Sequence, residues 1–276
     1  MELRDKSELL RENLALAGSL LVAYSGGTDS AYLAYAAHEV LGDRMLAMIA
    51  DSPSLPRKEL ADAMAFAERH GIPVRVLQTN ELEKPEYARN DAQRCFHCKS
   101  ELFTQMEETR GRLGFERLAY GMNMVVRGEF RTGQNAAEMH GALAPLVIAG
   151  LSKKEIRTLA REAGLELADK PASACLSSRI EYGREVTPEN LAQVERAEEA
   201  MHALGFAKVR VRHHGNLARI EIAKEDLGRA LTLSALEQMT EGVRGAGFLY
   251  VTLDTQGYRS GSMNDVLPVT AIAQAS

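Results

Sequence analysis

Leu20-Leu21-Val22-Ala23-Tyr24-Ser25-Gly26-Gly27-Thr28-Asp29-Ser30 is the stretch whose reading decides the fold. Its first five residues form a short apolar run suited to a buried strand. Ser25 to Ser30 then turn the chain into a helix with Leu33, Ala34, Ala37, Val40 and Leu41 along its apolar stripe. Two adjacent glycines let the backbone bend sharply and approach an anion with no Cβ in the way. The amides of the next helical turn lack intrahelical acceptors and point at that anion, aided by the helix dipole. Ser25, Thr28 and Ser30 offer hydroxyl donors, and Asp29 can hold Mg²⁺ or the turn itself. The plainer alternative is a glycine turn with Asp29 as an ordinary cap. No lysine follows the glycines, so this is not the GxxxxGK[ST] phosphate loop.

Outward from this stretch, apolar runs alternate with helical patterns. Residues 2–17 read as an amphipathic helix, and 45–50 as a second buried strand ending at Asp51-Ser52-Pro53. A helix follows over about 57–70, then a strand at 73–77. The polar stretch 79–94 carries no periodicity and leads to Cys95-Phe96-His97-Cys98 and a helix over about 99–113. Arg117 to Gly121 read as a fourth strand. Such alternation implies an α/β fold with a parallel sheet, right-handed crossovers and ligands at the strand C-terminal ends. Gly27, Asp51 and Gly121 fall at that edge. Asp51 is placed to border an adenosine, and Gly121 either lets backbone approach the nucleotide or simply ends its strand.

Residues 122–150 form a long polar, glycine-bearing connection. Ser152 then caps a helix, with Glu155 at the capping-box position. The aperiodic, hydroxyl-rich loop 170–179 marks the end of a first domain, placed at residues 1–180, with a smaller α+β domain at 181–276. In the second domain Thr187-Pro188 opens a helix. Glu198 lies within its apolar stripe, so this carboxylate is either capped by an arginine or binds a cation. Two alternating strands follow, at 208–212 and 218–222. A hairpin pairing Val209 with Ile220 and Lys208 with Glu221 puts the valines and isoleucines on one face. The other face, with Lys208, Arg210, Arg212, Arg219 and Glu221, reads as solvated surface. A helix over about 224–240 and a strand at 248–253 complete an α-β-β-α-β module.

With 276 residues, 45% hydrophobic and 26% charged, the chain has material for a full core. A net charge of −5 argues against a broad nucleic-acid surface and so against nucleic acid as a partner. No run reaches a membrane span, no signal peptide is visible, and three cysteines make no disulfide framework. The expectation is a cytoplasmic protein.

Several separated stretches resemble one family. They are SGGTDS (25–30), PLVIAGLSKKEIRTLA (145–160), DKPASACLSSRIEYG (169–183), RVRHHGNLARIE (210–221) and GFLYVTLDTQGYRSGSMND (247–265). SGGxDS resembles the loop of the PP-loop ATP pyrophosphatases, which cut ATP to AMP and pyrophosphate. Together the stretches resemble the LarE family, ATP-dependent sulfur transferases of nickel-pincer nucleotide cofactor synthesis, over residues 8 to 267. The resemblance implies that ATP adenylylates a carboxylate of a pyridinium dicarboxylate mononucleotide and that sulfur then displaces AMP. It implies nucleotide contacts from Ser25 to Ser30, a substrate-phosphate grip by Arg210 and Arg212, and active-site roles for Ser178 and Arg179. Glu198 and Glu221 become candidates for a divalent cation site.

The family divides on cysteine. Some members carry one cysteine in the loop after Lys-Pro and sacrifice its sulfur. Others carry three and hold a [4Fe–4S] cluster. Cys95, Cys98 and Cys175 place this chain with the second kind, whose free iron binds sulfide from an outside donor. Zinc, with His97 or His213 as fourth ligand, and a sacrificial Cys175 are the alternatives. The chain departs from the family where acidic residues usually follow Gly121-Met122-Asn123; here stand Met124-Val125-Val126-Arg127. That departure bears on magnesium placement or substrate identity. The competing readings are a tRNA thiolase, an ammonia-using amide synthase and a nucleotide-binding regulator without turnover. A homo-oligomer is expected.

Overall fold

The computed structural model describes residues 1–124, 132–171 and 173–267. The chain divides into two compact units. Of the described residues, one comprises Met1–Glu81 with Cys95–Ser173, and the other Leu82–Arg94 with 174–267. The boundary thus falls at 173/174 rather than 180/181, and the stretch 82–94 belongs to the second unit although it interrupts the first.

The first unit contains α1 (Leu3–Leu16), β1 (Leu20–Ala23), α2 (Thr28–Leu41), β2 (Met45–Asp51), α3 (Arg57–Arg69) and β3 (Val74–Gln78). After the excursion through α4 (Pro85–Ala88), it resumes in α5 (Arg94–Leu113), β4 (Arg117–Tyr120), α6 (Thr132–Met139), α7 (Pro145–Ile148) and α8 (Lys153–Glu162). The four strands form a parallel sheet in the order β3-β2-β1-β4, as the alternation predicts. Successive residues of a strand point to opposite faces. Leu20 and Val22 accordingly join the core under α1, α2 and α3, while Leu21 joins Met48, Phe103 and Met106 on the other face. Burial on both sides is what makes β1 an unbroken apolar run rather than an alternating one.

α5 begins at Arg94, five residues earlier than the sequence reading placed it, so Cys95 is its second residue and Cys98 its fifth. The preceding stretch is ordered too. The Asp91 side chain accepts from the amide of Gln93 at 2.8 Å, and the Asp91 carbonyl accepts from that of Arg94 at 3.1 Å.

The second unit is built from α9 (Pro188–Ala203), β5 (Val209–His214), β6 (Leu217–Ile222), α10 (Leu227–Ala230), α11 (Leu233–Gly245) and β7 (Tyr250–Leu253). The sheet order is β5-β6-β7, the first pair antiparallel and the second parallel. The hairpin register differs by two residues from that expected: Val209 faces Ile222, Val211 faces Ile220, and Arg210 faces Glu221. A two-residue shift keeps every side chain on its face, so hydrophobic alternation cannot distinguish the two registers. The turn does. Gly215 at φ +68° and Asn216 form a two-residue connection that sets His214 opposite Leu217.

Candidate active site

In the first unit the loop after β1 is held from several sides. Gly26 has φ +69°, and a Cβ built on it would lie 2.6 Å from that of Ala63 on α3, so glycine is required there by packing. Gly27 is different. It has an ordinary φ of −78°, and a Cβ there would meet only the Ser25 hydroxyl oxygen, at 3.6 Å. The space over Gly27 is open to a ligand. The hydroxyls are less available than the sequence suggests: Thr28 donates to the Leu167 carbonyl at 3.2 Å and Ser30 to the Gly27 carbonyl at 3.1 Å. Thr28 and Ser30 are both buried. Ser25 is exposed, its hydroxyl 3.0 Å from that of Ser30. Backbone amides of the loop and first helical turn, with the Ser25 hydroxyl, are therefore the donors left for an anion.

Asp29 serves neither as cap nor as turn anchor. One carboxylate oxygen accepts from Lys153 Nζ at 2.8 Å and the other from Asn123 Nδ2 at 2.7 Å. Each oxygen keeps a lone pair, so the carboxylate retains capacity for a cation. Lys153 is the first residue of α8, whose start is fixed by the expected capping box between Ser152 and Glu155. Hydrogen bonds from Lys6 and Ser152 hold the Glu155 carboxyl down to about 2. Sequence reasoning identified the cap but missed the lysine beside it. The signal was present: a lysine at the N1 position, where a cation opposes the helix dipole, calls for a partner.

Gly121 supports the loop from beneath. A Cβ on it would lie 2.5 Å from Ser30 Cα and 2.6 Å from Ser30 N. Its missing side chain is thus taken up by the backbone of α2. Asp51 is fastened by Arg57 at 2.5 Å and Gln78 at 3.0 Å, which hold its carboxyl below the usual range. Lys170 donates to the Gly26 carbonyl at 3.1 Å and pairs with Glu59 at 2.6 Å. Gly26 and Lys170, with Phe66 and Arg69, line a cavity of about 510 Å³. Of the four residues where acidic ones were expected, Val125, Val126 and Arg127 lie outside the described residues; Met124 is exposed and its amide donates to the Leu151 carbonyl at 2.8 Å.

The second unit contains Cys175, half-buried, at the head of a short turn over Leu176–Arg179. The Cys175 carbonyl accepts from the Ser178 amide and hydroxyl at 3.0 and 2.8 Å, and from Arg179 Nη1 at 3.0 Å. Arg179 is 2% exposed. It meets Glu198 with a two-pronged contact, Nε to Oε1 at 2.9 Å and Nη2 to Oε2 at 3.1 Å. Glu198 Oε1 also accepts from the amide of Val211. Of the two options left by its inward position, the structure shows the arginine cap.

The polar face of the hairpin is buried at Arg212 and Glu221, 5% and 0% exposed, half-buried at Arg210 and Arg219, and solvated only at Lys208. Arg212 Nη2 donates to Glu221 Oε2 at 2.6 Å and to the Ser262 hydroxyl at 3.2 Å, while Nη1 reaches the Ser178 carbonyl at 3.2 Å. Its Nε is buried with no hydrogen-bond partner among the described residues. Arg219 bridges Glu221 and Asp254. Arg210 lies over the Tyr258 ring at 5.5 Å, and burial with the nearby Arg179 guanidinium pulls its pKa down. Arg179, Arg212 and Arg219 are thus paired with Glu198, Glu221 and Asp254 in a network that Arg210 adjoins. The orphaned Nε of Arg212 calls for an anion.

The NAD synthase family model matches residues 3–183. Over 253 residues the chain is 34% identical to the pyridinium-3,5-bisthiocarboxylic acid mononucleotide synthase of Lactiplantibacillus plantarum, covering 91% of each. The chain belongs to the LarE family of PP-loop ATP-dependent sulfurtransferases. An uncharacterized protein of Synechocystis sp. is 42% identical over 96% of this chain and 99% of its own length. A tRNA-specific 2-thiouridylase of Rickettsia africae is 29% identical over 56% of this chain and 52% of its own. The NAD synthase match stops before α9, so it takes in Arg179 but not Glu198 or the hairpin arginines. Cys95 and Cys98 belong to the first unit and Cys175 to the second, and none is in a disulfide. Among the described residues no three His, Cys, Asp or Glu side chains are gathered to hold a metal, and no helix is long and apolar enough to cross a membrane.

Proposed function

We propose that this LarE-family enzyme uses ATP to adenylylate a carboxylate of a pyridinium dicarboxylate mononucleotide and then replaces AMP with sulfur. The observation that carries this reading is the orphaned Arg212 Nε, buried on the same side chain that reaches Ser178 in the Cys175 loop. An anion bound there, the mononucleotide's phosphate, is tied to the sulfur loop through one guanidinium.

The chemistry runs in two steps. A carboxylate oxygen attacks the α-phosphorus of ATP and pyrophosphate leaves, giving an acyl-adenylate. The loop amides over Gly27 stabilise the charge that develops on the departing pyrophosphate. A sulfur nucleophile then attacks the acyl carbon and AMP departs, leaving a thiocarboxylate. Asp29 has the capacity to hold Mg²⁺, which when bound neutralises phosphate charge. The cysteine donor set fits a [4Fe–4S] cluster in kind, being three thiols, each at least partly exposed. When so held, a cluster supplies an iron able to carry sulfide from outside the protein.

The test compares binding of the pyridinium mononucleotide with binding of its nucleoside, which lacks the phosphate. Wild-type protein should prefer the nucleotide. Arg212→Lys, which keeps the charge but not the fork, should lose about 1.5–3 kcal/mol of that preference, with ATP affinity unchanged. Equal affinity of the wild type for nucleotide and nucleoside would overturn the reading.

A further inference from the structure

Residues 82–94, which sequence reading left as polar and irregular, are stapled to the Cys175 loop. Asn90 is fully buried in the left-handed region at φ +57°, a conformation that asparagine tolerates better than most residues. Its Nδ2 donates to the carbonyls of Glu181 and Arg184 at 2.8 and 3.0 Å, with a longer contact to Ile180 at 3.3 Å. Backbone bonds reinforce this: Gly183 N to Asn90 O at 3.1 Å and Val186 N to Ala88 O at 2.9 Å. Asn90 Oδ1 accepts from Arg94 Nη1 at 2.5 Å, and the same nitrogen donates to the Ser177 carbonyl at 2.9 Å. Tyr87, 1% exposed, joins its hydroxyl to that of Ser177 at 2.6 Å. Ser177 is itself 0% exposed, so its hydroxyl is not available to a substrate.

The residue two places after Cys175 is therefore clamped at both its carbonyl and its hydroxyl by one segment. The Cys175 carbonyl is clamped separately by Ser178 and Arg179. We infer that Tyr87, Asn90 and Arg94 are positioning residues for the sulfur-transfer step: they fix where the Cys175 loop presents its thiol and take no part in adenylylation. Arg94 is also the first residue of α5 and immediately precedes Cys95. The residue that bonds the Ser177 carbonyl is thus the one that directly precedes the CxxC pair in sequence. This rests on the proposed function, since it assigns the second of its two steps.

The experiment follows both steps in one reaction, with ATP, sulfide and the pyridinium dicarboxylate mononucleotide. Tyr87→Phe removes one hydroxyl without changing volume, and Arg94→Lys keeps the charge while losing the fork. Pyrophosphate release should stay within about twofold of wild type in both, while thiolated product per pyrophosphate falls at least tenfold. A ratio equal to wild type, or both steps falling in proportion in Tyr87→Phe, would overturn the inference. Wild-type protein that releases pyrophosphate but forms no thiocarboxylate would refute the proposed function instead. Alkylation of Cys175 by iodoacetamide, read by peptide mass against Cys95 in the same molecule, then decides. A change of fivefold or more in Tyr87→Phe supports positioning, and an unchanged rate refutes it.

Discussion

In the first unit the groups offered to a ligand are backbone amides around an open glycine, whereas in the second they are guanidiniums sunk among carboxylates. The amides need no counter-charge, because a helix start leaves them unpaired by geometry. Buried guanidiniums must be compensated, and Arg179, Arg212 and Arg219 each meet a carboxylate, although one nitrogen of Arg212 is left without a hydrogen bond. A site of the first kind is written in local sequence, since Ser-Gly-Gly and a following helix suffice. A site of the second kind is assembled from α9, β5, β6 and the loops around Arg179 and Ser262, and no short stretch contains it.

This contrast is most sharply broken at Gly27. Its surroundings accept a Cβ, so Gly27→Val should fold with an unaltered melting transition yet lose pyrophosphate release by about 10²–10³-fold or more. Asp29→Ala should abolish release similarly, through loss of the Lys153 and Asn123 contacts. Pyrophosphate formation at the wild-type rate in both variants would mean that the amides do not hold the anion. Gly121→Ala is the control, because its Cβ meets backbone at 2.5 Å and should lower stability and activity together.

A second test concerns the cysteines. If all three hold one cluster, Cys95→Ala should reduce anaerobically purified enzyme from many thiolations per chain to none, and Cys175 should keep its mass in the wild type. Sacrificial transfer predicts at most one thiolation per chain, loss of about one H₂S from Cys175, and an active Cys95→Ala.

The buried network should respond as a stability element. Arg179→Ala leaves Glu198 buried and unpaired, and chemical denaturation should show a loss of about 3–5 kcal/mol. Tolerance of that change would mean that the second unit's charges are solvated after all. The smallest effect is expected at Ser152→Ala, which removes a cap worth about 1 kcal/mol. Its pH dependence has a definite sign. Glu155 titrates lower in the folded protein than its ordinary value of 4.5, so its stabilisation is complete above about that pH. It is lost as pH falls toward about 2. Denaturation midpoints of wild type and Glu155→Gln should therefore differ at pH 7 and converge in acid.

Much of the first unit was legible. The apolar run at β1, the glycine pair, the alternation of strands and helices, and the Ser152–Glu155 box are all local patterns. The second unit was legible in element order but not in register, because alternation has a period of two and the shift is two. The Gly215-Asn216 dipeptide was the signal that could have set it. Arg212 and Glu221 read as surface because charge on a strand face is usually solvated; only the partners at Ser178, Arg219 and Ser262 show otherwise. Residues 82–94 lacked any period, since a segment ordered by Asn90 and Arg94 side chains has no repeating geometry to display.

The discontinuity of the second unit has a consequence for how the chain is made. Asn90 and Arg94 leave the ribosome before their acceptors at Ser177, Glu181 and Arg184 have been translated. At about 5–20 residues per second, the roughly eighty residues between take on the order of 4–16 s to emerge. During that interval the nascent chain has the material for the parallel sheet but not for the clamp, and the buried asparagine and arginine are still hydrated. The four strands of the parallel sheet all end before residue 121, so their residues are synthesised before the acceptors of the clamp, and a chain halted before residue 174 lacks those acceptors altogether.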